Sequence, residues 1–175
     1  MPKVKVAVIG AGSYVFGLSV LKQAFLDHAM SGLELALMDV DREALDAMAA
    51  VGGRMLREAR LDSRITAHVD WPPALAGADF VLCAAARQLR RRFEMDCEIV
   101  DRHCPGHLVT EFGGVAGISY SLRQIALIEQ LAADMKRLCP DAWLLNSANP
   151  LPRVCQAAHE AGVRTAGFCN VSMKV

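Results

Sequence analysis

The 175-residue sequence lacks the features that mark two broad functional classes. Its formal net charge is zero, so it has no excess of basic residues of the kind that binding to nucleic acid or to an acidic membrane requires. No apolar run approaches the roughly 18 residues that would span a bilayer. We therefore expect neither a nucleic-acid partner nor a membrane partner.

Paired cysteine motifs are also absent. None of the six cysteines forms a C-x-x-C pair, which argues against a zinc ribbon or a thioredoxin-type site. Their scatter through a sequence that is 53% hydrophobic indicates reduced, mostly buried thiols, and we expect a cytoplasmic protein. The N-terminal apolar run is short and leads directly into a glycine turn, so it predicts a first strand rather than a signal peptide.

What the sequence does contain is a regular alternation of β-branched runs and amphipathic segments. Segments 14–28, 42–59 and 122–138 have helical periodicity. Such alternation is typical of right-handed βαβ units around a parallel sheet. We predict one α/β domain over residues 1–175, a doubly wound, Rossmann-like sheet of about six strands, with a Gly-rich loop over 105–117 and a helix from near Ser119. The predicted strands are 4–9, 33–38, 65–69, 79–84, 142–146 and 164–168.

The first motif, "VAVIGAGSYVFG", has the pattern of a dinucleotide-binding turn. Gly10 makes the tight turn, and Gly12 lets the backbone approach a pyrophosphate at the start of a helix. The third glycine of the pattern is replaced by Val15, so a plain strand–helix turn is the alternative. Asp39 ends the second strand, where a carboxylate can accept from a ribose 2′-hydroxyl and repel a 2′-phosphate. We assign Gly10, Gly12, Ser13 and Asp39 to NAD, in preference to NADP.

An arginine-rich segment, "ARQLRRRFEMDCEIVD", follows the fourth predicted strand. Arg87 and Arg92 could hold a phosphate or carboxylate by bidentate contacts, or could equally be solvated. For Arg90 and Arg91 we favour a solvated helix face with nearby acidic partners. The segment begins beside the crevice where open α/β sheets bind ligands, and Arg87 is the arginine nearest the strand end.

Two further motifs carry polar residues at predicted strand ends or in loops. In "TEFGGVAGISYSLRQI", Glu111 precedes a glycine-rich turn whose amides could face an anion or sugar, and Arg123 either joins them or forms an ion pair across the helix surface. In "WLLNSANPLPRV", Asn146 ends the fifth strand and Asn149 precedes Pro150. An amide suits hydroxyl recognition, although an Asx turn would explain one asparagine more easily than two.

The last motif is "GFCN", in which Cys169 follows the sixth predicted strand. A thiolate is a good ligand for a soft metal, but none of the five histidines has a spacing that places it against Cys169. From the residues alone, a buried structural cysteine is the favoured interpretation.

In this order, the motifs resemble the N-terminal half of glycoside hydrolase family 4. The resemblance covers essentially the whole chain and is carried by "GAGS", "LMDVD", "ADFVL", "LCPDAWLLNSANP" and "GFCN". It implies NAD and a divalent metal, usually Mn²⁺, as cofactors, and a glycoside or 6-phosphoglycoside as substrate. It also implies a homo-oligomer and a C-terminal α/β domain that this chain lacks.

The resemblance assigns roles residue by residue. It implies that Cys169 is a metal ligand, in place of the structural role favoured above. It implies that Arg87, Glu111 and Asn149 contact substrate, and Asn170 resembles members that act on 6-phospho-β-glucosides.

The sequence also departs from the family pattern. The usual Gly-Pro-Gly-Gly run is replaced by "GVAG" at 114–117. The second metal ligand and the catalytic base would lie beyond Val175, so no residue of this chain is assigned to the base.

The chemistry implied by the resemblance is oxidation of the sugar C3 hydroxyl by NAD, metal-assisted removal of the C2 proton, elimination, addition of water and return of the hydride. Because the base is absent, we predict that these 175 residues bind NAD but do not turn over substrate. The alternatives are a stand-alone NAD-binding module and a 2-hydroxy acid dehydrogenase of the malate or lactate type.

Overall fold

The computed structural model describes residues 4–169 and has the predicted doubly wound architecture. Six parallel strands form one sheet in the order β3-β2-β1-β4-β5-β6. The elements, in chain order, are β1 (Val4–Ile9), α1 (Phe16–Lys22) with a π-helical continuation (Gln23–Asp27), β2 (Leu33–Met38), α2 (Arg42–Ala59), β3 (Arg64–His68), α3 (Trp71–Leu75), β4 (Phe80–Cys83), α4 (Leu89–His103), α5 (Gly114–Leu138), β5 (Trp143–Asn146), α6 (Leu151–Glu160) and β6 (Arg164–Gly167). The fold class and all six strands are confirmed, with strand ends shifted by one residue or less.

Alternation along β1 divides the core into two layers. Val8 faces a cluster that includes Leu21 of α1 and Leu45 of α2. Ala7 and Ile9 face the opposite cluster, to which α3, α5 and α6 contribute. The sheet is therefore covered by helices on both faces, and its carboxyl edge is left accessible between β1 and β4, where the strand order reverses.

The start of α5 differs from the prediction, because the helix begins at Gly114, five residues before Ser119. The hydroxyl of Thr110 accepts from the amides of Phe112 and Gly113 at 3.2 and 2.9 Å and turns the chain into the helix. Gly117 is buried within the helix, where a Cβ would lie 3.1 Å from the Thr110 carbonyl oxygen. The glycine that suggested a loop is required for close packing instead.

Helix α4 is joined to α5 by a partly buried ion pair. The Asp96 carboxylate pairs with the Arg123 guanidinium and also accepts from the Ser119 hydroxyl at 2.9 Å. Of the two roles considered for Arg123, the structure therefore shows the ion pair. The pair links α4 to α5, however, and does not lie across the surface of one helix. On the exposed side of α4, Arg90 pairs with Glu94 at 2.9 Å, as expected.

These two ion pairs are expected to differ sharply in their effect on stability. Arg123→Met leaves the buried Asp96 carboxylate without its cation and should lower the free energy of unfolding by about 3 kcal/mol. Arg90→Met removes an exposed i,i+4 pair and should change it by less than about 0.5 kcal/mol. Urea unfolding of both variants checks this, and equal effects would show that the α4–α5 ion pair is not structural.

Among residues 4–169, no helix combines the length and the apolar character needed to cross a membrane.

Candidate functional site

A cleft of about 1180 Å³ lies along the carboxyl ends of β1, β2 and β4. The four residues assigned to the cofactor from the sequence line it together: Gly10, Gly12, Ser13 and Asp39. Arg87 lies on its rim, and Trp71 lines the far side. The strand order thus brings the first two motifs into one concave site, as a doubly wound sheet requires.

Asp39 is positioned by two backbone amides at the end of β2. Its Oδ2 accepts from the Gly12 amide at 2.8 Å, and its Oδ1 accepts from the Asp41 amide at 3.0 Å. Asp41 in turn caps α2 by accepting from the Ala44 amide at 3.0 Å. A carboxylate has about four acceptor positions, so each oxygen keeps capacity for a further hydroxyl.

The two glycines of the turn are required by its geometry. Gly10 has φ of 89°, and a Cβ there would lie 2.9 Å from the Ala85 amide nitrogen. A Cβ on Gly12 would lie 2.9 Å from the Asp39 carboxyl group. Because positions 10 and 12 carry no side chain, the end of the cleft next to the Asp39 carboxylate stays open. Size, shape and donor set fit a dinucleotide whose ribose faces Asp39.

Gly17 allows the close packing of helix and turn that the third glycine of the dinucleotide-binding pattern usually provides. In this sequence Val15 stands at the position where that glycine is expected. Val15 points outward and is 64% exposed. Gly17 is buried, and a Cβ there would lie only 2.0 Å from the Ala11 carbonyl oxygen. Its amide donates to the Ser13 carbonyl at 2.8 Å, while the Ser13 hydroxyl accepts from the Phe16 amide at 3.2 Å. The sequence signal was the glycine that ends "SYVFG", which lies two residues beyond the usual position of the third glycine.

Arg87 has an exposed guanidinium just after β4. Its Nη2 donates to the side-chain oxygen of Gln130 at 3.2 Å, which is a neutral partner. Arg92 instead donates at 3.1 Å to the side-chain oxygen of Gln88, the residue just before α4. Of these two arginines, only Arg87 lines the cleft. Its contact with Gln130 leaves the positive charge of the guanidinium uncompensated, because Gln130 is neutral.

A second polar group lies next along the same edge, after β5. The Asn149 side-chain amide donates to Glu111 Oε1 at 3.2 Å. The peptide bond between Asn149 and Pro150 is cis. Asn146 is fully buried, and both polar atoms of its amide bond the backbone of Ala148. Asn146 thus makes the turn, and Asn149 is the amide that meets an acid from another motif. This pair does not line the cleft but lies beside it, since β5 neighbours β4.

Tyr120 is a polar neighbour of this pair that sequence reasoning did not select. It is buried on α5, and burial, followed by the nearby Glu111 carboxylate, raises its pKa to about 12. The phenol therefore stays protonated at neutral pH. Its helical register with Gly117 and Gln124 was readable from the sequence, but its proximity to Glu111 depends on how the 104–113 segment folds back.

Cys169 lies two residues after the end of β6, at the same edge, and is half-buried. Burial raises the pKa of Cys83 to about 11 and also raises that of Cys155, so both are held as thiols. Within residues 4–169, no three His, Cys, Asp or Glu side chains converge as a metal site would require. The role of Cys169 as a metal ligand therefore stays a prediction from the resemblance.

Two of the predictions fall outside the described residues. Asn170, expected to contact substrate, lies there. So does Val175, beyond which the resemblance places the catalytic base and the second metal ligand. The roles expected at and beyond these positions therefore stay predictions from the sequence.

Comparison with known proteins places this architecture in a family. The family 4 glycosyl hydrolase model matches residues 5–175. An α-glucosidase of Erwinia rhapontici is 33% identical in an alignment 171 positions long that covers 95% of this chain and 37% of that protein. A 6-phospho-β-glucosidase of Escherichia coli is 34% identical in an alignment 176 positions long that covers 97% of this chain and 38% of that protein.

A solved structure has the same fold. A 6-phospho-α-glucosidase from gut microorganisms, in complex with NAD and Mn²⁺, superposes with a TM-score of 0.80 at 22% identity. The match covers 96% of this chain and 39% of that one. The chain therefore spans well under half the length of the proteins it matches. The match of the family model over residues 5–175 shows that the chain belongs to glycosyl hydrolase family 4.

Proposed function

We propose that residues 1–175 are the cofactor-binding, N-terminal part of an NAD-dependent glycosidase. The observation that carries this proposal is the Asp39 carboxylate, held by the Gly12 and Asp41 amides at the head of the large cleft. Family membership and a related structure described with NAD and Mn²⁺ support it.

In this proposal, each residue of the cleft has a defined task. Asp39 accepts hydrogen bonds from the ribose hydroxyls, and its negative charge disfavours a 2′-phosphate. Gly10 and Gly12 leave room for the pyrophosphate to approach the backbone, and Ser13 lines its path. When bound, NAD supplies a reversible hydride acceptor and a divalent metal supplies a Lewis acid.

The substrate is proposed to be a sugar glycoside or 6-phosphoglycoside, bound at the β4–β5 side of the edge. Glu111 can accept from a sugar hydroxyl, and the Asn149 amide can both donate and accept. Arg87 offers an exposed guanidinium suited to a phosphate. The contact of Asn170 with substrate is proposed from the sequence alone, and Cys169 is proposed as one metal ligand. A homo-oligomer is also proposed.

The cofactor part of the proposal can be tested with the two tryptophans of the chain. Trp71 lines the cleft and donates to Asp134 at 2.8 Å, whereas Trp143 lies in β5 at the amino edge. NAD should therefore change the fluorescence of the chain through Trp71. Trp143→Phe should retain the NAD-dependent change and Trp71→Phe should lose it. A change that survives in Trp71→Phe would place the nucleotide elsewhere.

The substrate part predicts a charge-dependent preference at Arg87. The NAD-loaded chain should bind glucose 6-phosphate in preference to glucose, and Arg87→Ala should weaken binding of the phosphate about tenfold, the loss of one charge-assisted contact. The matched control is Arg90→Ala, three residues further along the chain and already paired with Glu94. Calorimetric titration measures both, and equal affinities for the two variants would remove Arg87 from the site.

A further inference from the structure

Five large apolar side chains are exposed at the beginning of α5 and in the segment before it. Leu108, Phe112, Val115, Ile118 and Leu122 are each between 55% and 79% exposed. The last three recur at i, i+3 and i+7, so they form one stripe on the helix. We call these five residues the α5 face.

The outward side of a surface helix is ordinarily polar, and this one is not. The exposed positions of α5 up to Ala126 are Gly114, Val115, Ile118, Leu122 and Ala126, and none carries a charge. The second half of the same helix exposes Glu129, Lys136 and Arg137. Apolar exposure is thus confined to one end of α5, as expected of a docking surface rather than of a scattered surface residue.

That end lies at the carboxyl edge of the sheet. Because α5 leads into the amino end of β5, its own amino end points to the opposite, ligand-binding edge. The Gly117 carbonyl accepts from Arg153 at the start of α6 at 3.2 Å, which places this end beside the Asn149 turn. Phe112 directly follows Glu111, whose carboxylate meets Asn149. The α5 face is therefore continuous with the proposed substrate pair.

We infer that the α5 face is the docking surface for the C-terminal portion that the longer family members carry. The chain spans only 37–38% of two curated relatives, so most of their length lies outside the matched region. β6 runs towards the carboxyl edge and delivers Cys169 there, so a chain continuing from it starts on the side where the α5 face lies. This inference rests on the proposed function, in which residues 1–175 are one part of a longer enzyme.

Docking there would have a chemical consequence. A portion seated on Phe112 and Val115 would cover Glu111 and Asn149 from the solvent side. Exclusion of water strengthens the hydrogen bonds and charge interactions of such a pair. The face would thereby couple assembly of the two parts to completion of the substrate site.

The test compares side-chain solvent exposure in two proteins by hydroxyl-radical footprinting with mass spectrometry. One is the 175-residue chain, and the other is the same chain continued by the C-terminal portion of the Erwinia rhapontici α-glucosidase. Labelling of Phe112, Ile118 and Leu122 should fall several-fold in the longer protein. Labelling of Leu26 and Val40, which are exposed elsewhere, should not change.

Two footprinting outcomes would overturn the inference. Equal labelling of the face in both proteins would show that the C-terminal portion docks elsewhere. Protection that develops in the 175-residue chain alone, and rises with its concentration to the level of the longer protein, would assign the face to a second copy of the chain.

A second measurement does not depend on labelling. Ile118→Glu combined with Leu122→Glu should leave the melting midpoint of the 175-residue chain unchanged but lower that of the longer protein by at least about 5 °C. The matched control is Leu26→Glu with Val51→Glu, two exposed apolar residues away from the cleft, which should be neutral in both. Equal shifts in both proteins would contradict docking on this face. The Trp71 signal with NAD is read in parallel, so a failure of this inference is distinguishable from a failure of the proposed function.

Discussion

A Gly17→Ala variant should lose at least about 2–3 kcal/mol of unfolding free energy, although alanine is the better helix former. The added Cβ would lie 2.0 Å from the Ala11 carbonyl oxygen, and that oxygen belongs to the backbone of the cofactor turn. Helix α1 and the β1–α1 turn would have to move apart. NAD affinity should fall as well, because this turn carries Gly10 and Gly12. Urea unfolding followed by circular dichroism measures the loss of stability.

Gly53→Ala is the matched control for this substitution. Gly53 also lies in a helix, α2, but the nearest atom to an added Cβ is the end of the Arg57 side chain at 3.6 Å. With space available, alanine should stabilise the chain by about 0.5–1 kcal/mol through its helix propensity. If the two variants unfold at the same urea concentration, Gly17 does not hold the turn against α1.

The second large effect is expected at the carboxylate that faces the cleft. Asp39→Asn should weaken NAD binding roughly ten- to a hundredfold, the loss of about 1.5–3 kcal/mol from hydrogen bonds to a charged acceptor. Asparagine has only one acceptor oxygen and cannot serve both the Gly12 and Asp41 amides and a ribose. Discrimination against NADP should shrink at the same time, because the negative charge that repels a 2′-phosphate is gone.

Asp46→Asn provides the control for charge alone. Asp46 lies on the exposed side of α2, paired with Arg42 at 3.0 Å. Its replacement should leave the affinities for NAD and NADP unchanged. An Asp39→Asn variant that binds both nucleotides as the parent does would mean that the carboxylate does not contact the ribose.

The architecture could be predicted from the sequence because most strands are short apolar runs that alternate with segments of helical periodicity. The start of α5 could not, because glycines at 113, 114 and 117 signal a loop when read locally. Only the folded chain shows that the Thr110 hydroxyl caps this turn and that Gly117 packs against the Thr110 carbonyl. Local composition and tertiary packing give opposite indications there, and packing prevails.

The candidate site was predictable where residues follow strand ends and less so elsewhere. The turn residues and Asp39 were selected because carboxyl ends of parallel strands converge on one edge. Gly17 could not be selected because it departs from the usual glycine spacing. The sequence also could not distinguish Asn146 from Asn149, because only the structure shows that the Asn146 amide is hydrogen-bonded to the backbone of Ala148. The assignment of these residues to NAD and substrate stays a prediction.

The central claim is that this chain is an NAD-binding part of a family 4 glycosidase. Calorimetric titration of the purified 175-residue chain with NAD, and separately with NADP, tests it most directly. The account predicts saturable binding of one NAD per chain and at least about tenfold weaker binding of NADP, the effect of one repulsive charge near the ribose. No binding of NAD, or equal binding of both nucleotides, would contradict it.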